Sequence, residues 1–212
     1  MCIRDRILIV DDEANIEKLF IPSYLEAAEK IRTQNEQYSQ YDLEFQHIIS
    51  IEGAIEYLKT QAIVDVLIID YKFNNEKNRR SGVDLIKYVR ENINKHCRVI
   101  FYTMNELAGI PPESYVQLIN NQVFRIIDKA SCTDYEFTKI IFEAVEDCDV
   151  IVNSLEKFWI EYSEVFEHYK YTFLGEEQKF PDILNHIRMD DAIGKAIIDK
   201  LVHKALIDSV EV

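Results

Sequence analysis

The sequence predicts an α/β protein, a doubly wound five-stranded parallel sheet followed by an α-helical hairpin. Short β-branched runs alternate with longer amphipathic stretches through about the first 130 residues. Two of those runs, Ile7–Val10 and Val66–Ile69, are apolar at every position, the pattern of parallel strands covered by helices on both faces. Beyond about Thr133 the strand signal stops and apolar residues recur at helical spacing.

Ile7-Leu8-Ile9-Val10 is the first run and ends abruptly in Asp11-Asp12. Leu43–Ile49 alternates in part, as expected of a strand with one face more exposed. Val66-Leu67-Ile68-Ile69 ends in Asp70, Arg98–Tyr102 ends in Thr103, and Val123–Ile127 ends near Lys129. Between them, Ala14 to about Gln34 carries apolar residues at Ile16, Leu19, Phe20, Leu25 and Ile31, with Pro22 expected to kink or break the helix. Ile51–Thr60, Val83–Asn92 and Ser114–Asn120 read as shorter helices, with Gly82 and the Pro111-Pro112 pair as start signals. Repeated five times, this β-α order fits a doubly wound domain.

In the C-terminal part, Ile151, Leu155, Phe158, Tyr162, Val165 and Tyr169 form a heptad seam. Leu174-Gly175 through Phe180-Pro181 reads as a turn. A second stripe follows, with Ile183, Ile187, Ile193, Ile197, Leu201 and Ala205. These observations divide the chain into a domain over 1–148 and a helical hairpin over 149–212 that serves interaction or dimerisation. The aromatic surplus of the seam, Phe158, Trp159, Tyr162, Phe166 and Tyr169, reads as core or subunit interface rather than as a cofactor site.

The formal net charge of −14 opposes binding to a phosphate backbone, and the one basic cluster, Lys77-Asn78-Arg79-Arg80, is short. From Asp149 onward there are 13 acidic and 7 basic residues, a poor composition for a DNA-reading output domain. Cys2, Cys97, Cys132 and Cys148 lack zinc-site spacing and read as free thiols of a reducing compartment. No apolar run reaches the roughly 18 residues of a membrane span. The four apolar residues after Arg6 are too few for a signal peptide, so a cytoplasmic protein is expected.

Each polar residue named at a strand end has a common explanation by itself: Asp12 or Thr103 as a helix cap, Lys129 as a surface charge. Together they sit at the carboxyl ends of the strands, where open parallel sheets form their ligand crevice. In one common doubly wound order the first and third strands are neighbours, which brings Asp11, Asp12 and Asp70 together. Packed carboxylates repel unless a cation neutralises them, and a hard ion such as Mg²⁺ suits three of them. Thr103 and Lys129 would add the hydroxyl and ammonium that a phosphoryl group requires.

The order Ile-Leu-Ile-Val-Asp-Asp-Glu at 7–13, Val-Leu-Ile-Ile-Asp at 66–70, Val-Ile-Phe-Tyr-Thr at 99–103 and Ile-Ile-Asp-Lys at 126–129 resembles the receiver domain of two-component response regulators, over about residues 6–148. The resemblance implies a flavodoxin-like receiver fold with strand order 2-1-3-4-5. It implies a phosphorelay switch with Asp70 as phosphoacceptor and a histidine kinase or phosphotransfer protein as partner. Mg²⁺ (or Mn²⁺) would be held by Asp11, Asp12, Asp70 and the backbone carbonyl of Lys72. Thr103 and Lys129 would bind the phosphoryl oxygens, and Thr103 and Ile126 would be the switch positions. No enzymatic activity beyond self-phosphorylation and autodephosphorylation is implied. The sequence departs from the family at Ala130, where proline is usual, at Ile126, usually aromatic, and at Met104, usually small and here expected to narrow access to Asp70. Two other readings remain: a scaffold of receiver type that binds partners without phosphorylation, and a metal-dependent phosphohydrolase. The second would want a carboxylate where Lys72 stands.

Overall fold

The computed structural model describes residues 3–60, 63–73, 80–103, 107–166, 168, 170–173 and 175–210. Met104, the segment 74–79 with its basic cluster up to Arg79, Tyr169 and Leu174 lie outside the described residues. The chain folds into two units, Met1–Val89 with Cys97–Cys148, and Arg90–His96 with Asp149–Val212.

The first unit is built on five parallel strands: β1 (Ile3–Val10), β2 (Tyr41–Ile48), β3 (Val66–Asp70), β4 (Arg98–Thr103) and β5 (Arg125–Asp128), in the order β2-β1-β3-β4-β5. Five helices alternate with them: α1 (Ile21–Gln34), α2 (Ile51–Lys59), α3 (Gly82–Asn92), α4 (Pro112–Asn120) and α5 (Asp134–Glu146). The all-apolar runs are the central strands, and Val66–Ile69 are completely buried. Because strand side chains alternate, Ile7, Ile9, Val66, Ile68, Ile100 and Tyr102 share one face. That face packs against Tyr24, Ala28 and Ile31 of α1 and Phe137, Ile141 and Phe142 of α5. A capping box at Thr133 and Glu136 starts α5.

The helix expected from Ala14 is interrupted. One π-helical turn over Ile16–Phe20 runs directly into α1, and Pro22 stands in the first turn of α1, where its fixed φ suits the helix. The wider turn resets the helical phase, so Leu19 and Leu25 face outward while Tyr24, Ala27, Ala28 and Ile31 are buried.

The second unit contains the expected C-terminal helices, but three of them, with a β-hairpin between the first two. They are α6 (Val150–Phe166), β6 (Tyr171–Phe173), β7 (Glu176–Gln178), α7 (Phe180–Arg188) and α8 (Ala192–Val210). The seam is broken at Tyr162, whose backbone is non-helical, and the segment read as a turn does begin with one at Gly175, at φ +86, but then holds β7, which pairs antiparallel with β6 before it, and the start of α7. Only glycine takes that φ without steric cost. The second stripe is cut where Asp190 adopts φ 48 and Asp191 caps α8 by accepting from the N–H groups of Ile193 and Gly194. Val152, Ile183, Ile187 and Ile197 form its small core. Beside it, Trp159 and Phe166 both stack on Phe180, at ring distances of 5.2 and 4.9 Å.

Within this unit Glu156 and Arg188 form an ion pair at 2.5 Å, each side chain only 4% exposed. Removing one partner of such a pair strands a charge, whereas removing both need not destabilise. Glu156→Leu is expected to destabilise the unit by about 3–5 kcal/mol and the Glu156→Leu, Arg188→Met double variant by much less. Urea unfolding followed through Trp159, the single tryptophan, checks this.

Candidate functional site

Parallel register assembles the site. Val10 pairs with Ile69, so Asp11 emerges level with Asp70, and Asp70 in turn pairs with Tyr102. Thr103 pairs with Asp128, which places Lys129 just past the same edge. Asp11, Asp12 and Asp70 each offer a carboxylate oxygen, and these oxygens lie within 4.8 Å of one another. Asp11 is buried and the other two are half-buried.

Asp11 is held from several sides. Its Oδ1 accepts from the backbone N–H of Glu13 at 2.8 Å, and its Oδ2 accepts from Lys129 Nζ at 2.8 Å and from the hydroxyl of Tyr102. Nε2–H of His47, on β2, donates to the carbonyl oxygen of Asp11 at 2.7 Å. The Lys129 ammonium lies 4.0 Å from the ring centroid of Tyr102 and 5.5 Å from that of Phe20. The Lys72 N–H donates to Asp70 Oδ2 at 3.3 Å. Gly82 opens α3 against the end of β3, and a Cβ there would come within 2.0 Å of the Asp70 carbonyl oxygen. Glycine is required for this approach.

Burial, and then the neighbouring Asp11 charge, push the Asp70 carboxyl up from 3.8 to about 6, against the pull of Lys129 and of the Tyr71 and Lys72 N–H groups. Burial and Asp11 also raise the Tyr102 phenol well above its ordinary value, so it stays protonated and remains a donor. Three crowded carboxylates with oxygen-only donors fit a hard divalent cation such as Mg²⁺ or Mn²⁺, which would relieve the repulsion seen at Asp70.

The anticipated residues thus come out as follows. Asp11, Asp12 and Asp70 converge, and Lys129 reaches Asp11 rather than standing as a surface charge. Thr103 closes β4 and is buried, and Ile126 is half-buried in β5 opposite Phe101. Sequence reasoning missed Tyr102 and His47. Tyr102 was legible only as a strand residue, although its place directly before Thr103 could have suggested a site neighbour. His47 carried no signal, because its role comes from β2 lying beside β1.

The strand order 2-1-3-4-5 with helices on both faces is the flavodoxin-like receiver fold. No protein-family model and no curated protein matches the chain. Among solved structures it is similar to NtrX from Brucella abortus in complex with ATP, at 16% identity and a TM-score of 0.50, over 82% of this chain and 32% of that one. It is also similar to a response regulator receiver protein from Pseudomonas putida, at 23% identity and a TM-score of 0.46 over 68% and 96%. A third is a CheY-like receiver domain protein from Methanospirillum hungatei JF-1, at 18% identity and a TM-score of 0.45 over 68% and 94%. These similarities are of fold.

The raised Asp70 value has a consequence for stability. Without metal the folded state binds more protons than the unfolded chain between pH 3.8 and about 6. The stability this group contributes is therefore full below pH 3.8 and lost as pH rises through about 6. In thermal melts without metal, wild type is expected to lose stability across that window relative to Asp70→Asn, whose amide does not titrate. At pH 7.5, Mg²⁺ should recover the loss in wild type and much less in Asp12→Ala.

Proposed function

We propose that this chain is a phosphorelay switch that accepts a phosphoryl group on Asp70 from a partner histidine kinase or phosphotransfer protein. The observation that carries the reading is the convergence of Asp11, Asp12 and Asp70 beside Lys129 at the carboxyl edge of a receiver-type sheet. An Asp70 carboxylate oxygen attacks the phosphorus of a phosphohistidine. An O–P bond forms, the N–P bond breaks, and the electron pair leaves on the imidazole nitrogen, giving an acyl phosphate. Asp11, Asp12, Asp70 and the Lys72 backbone carbonyl would hold Mg²⁺ (or Mn²⁺), which when bound supplies charge neutralisation for the phosphoryl oxygens. Thr103 donates its hydroxyl and Lys129 its ammonium to the same oxygens. Thr103 and Ile126 are the positions through which the modified site would alter the surface around β4 and β5.

Residues 1–148 form the receiver domain in this reading, and 149–212 act through protein contacts, including a homodimer. The charge of 149–212, 13 acidic against 7 basic residues, argues against nucleic acid. Among the described residues no helix is long and apolar enough to cross a membrane. A cytoplasmic site of action fits Cys97, Cys132 and Cys148, which are thiols rather than disulfides. Support for a dimer comes from apolar side chains left in solvent: Phe158, Tyr162 and Val165 on α6, and Leu201, Leu206 and Ile207 on α8.

Incubation with Mg²⁺ and a small-molecule phosphodonor is expected to add the mass of one phosphoryl group, and Asp70→Asn to abolish the adduct while leaving the melt cooperative. An undiminished adduct in Asp70→Asn would sink the assignment. For the dimer, light scattering should show two copies for wild type and one for Phe158→Glu, Tyr162→Glu, since carboxylates at an apolar interface are costly to desolvate. A wild type that is monomeric at every accessible concentration, phosphorylated or not, refutes it.

A further inference from the structure

Two groups compete for the same atom of Asp11. Its Oδ2 accepts from Lys129 Nζ at 2.8 Å and from the Tyr102 hydroxyl, while Oδ1 is taken by the Glu13 N–H. Tyr102 is also the platform for the lysine: the ammonium sits 4.0 Å from its ring centroid, with Phe20 of the π-helical turn at 5.5 Å on another side. Lys129 is 11% exposed at its side chain, so ring and carboxylate together fix where its charge lies. The residue after Lys129 is Ala130, which takes part through its backbone N–H to Asp128 and adds no side-chain restraint of its own on the lysine.

From this geometry we infer that Tyr102 is a positioning residue of the phosphoacceptor site: its ring seats Lys129, and its hydroxyl latches the Asp11 carboxylate against divalent metal. The inference rests on the metal-dependent reading of the site given above. The physical argument concerns what a carboxylate oxygen can share. A buried anion accepting two donors on one oxygen is stabilised where it is, and a metal drawing on that oxygen must displace or weaken those bonds. Tyr102 is 1% exposed, so water cannot replace its hydroxyl as a donor without opening the core beneath β4. The latch therefore lowers metal affinity, and a side chain of the same shape without the hydroxyl raises it. Tyr102→Phe keeps the ring under Lys129 and keeps its edge contact with Phe137, at 5.8 Å between centroids, and deletes only the donor. A residue that merely filled the core would leave metal affinity unmoved by that change.

The test uses the full chain with Mn²⁺ alone as the probe, its binding read from loss of the free-ion paramagnetic resonance signal. Tyr102→Phe is expected to bind Mn²⁺ about three- to tenfold more tightly than wild type, the net worth of a typical intramolecular hydrogen bond. In an Asp11→Asn background the same substitution should leave the affinity unchanged, because the effect acts through that carboxylate. Equal or weaker binding by Tyr102→Phe beside a normally binding wild type overturns the latch and leaves the metal site standing. The same shift in the Asp11→Asn background would also overturn it, since Tyr102 would then act by another route. A wild type that binds no Mn²⁺, or binds it unaffected by Asp12→Ala, overturns the metal reading and the latch with it.

Discussion

Asp11 places a carboxylate under the carboxyl edge of the sheet with almost no access to water, and the surrounding elements are arranged to keep that charge satisfied. A buried anion without partners costs several kcal/mol, so each donor around it is a structural necessity. The turn after β1 supplies the Glu13 N–H, β4 the Tyr102 hydroxyl and the end of β5 the Lys129 ammonium. His47 on β2 holds the backbone carbonyl of the same residue. Four of the five strands are thereby tied to one residue. Its charge also falls on Asp70, whose carboxyl is raised by burial first and by Asp11 second.

That arrangement joins stability to reactivity. Burial, and then the Asp11 charge, disfavour the metal-free ionised form of Asp70, and a divalent cation bound there would offset both. Gly82 belongs to the same logic, since α3 starts against the Asp70 carbonyl and leaves no room for a side chain. In the phosphorelay reading proposed above, a phosphoryl group arriving at such a site would change its electrostatics sharply, which is the requirement for a switch.

The second unit follows other rules. Its buried apolar core is small, and its cohesion depends on stacked rings around Phe180 and on the enclosed Glu156–Arg188 pair. Aromatic side chains bury much area for little conformational entropy, which suits a small unit. The heptad reading of α6 failed at Tyr162 because spacing registers only which residues are apolar, and a non-helical backbone at one position leaves that spacing untouched. The β6–β7 hairpin escaped for a related reason: strands of three residues are too short for alternation to register.

Of the candidate site, the strand-end residues were legible because each closes an apolar run: Asp11 and Asp12 after Val10, Asp70 after Ile69, Thr103 after Tyr102. A one-dimensional pattern suffices there, since a parallel strand buried on both faces must be apolar until it reaches the edge where water or ligand begins. Five β-α repeats then leave few ways to order the strands. Only the tertiary structure decided that Lys129 pairs with Asp11, that Tyr102 turns its hydroxyl onto the same oxygen, and that His47 reaches the Asp11 carbonyl. The π-helical turn that carries Phe20 beneath Lys129 and rotates Leu25 to the outside was likewise decided in three dimensions. These contacts join residues 36 to 118 positions apart, and local pattern carries no information about partners that sheet register and helix phase bring together.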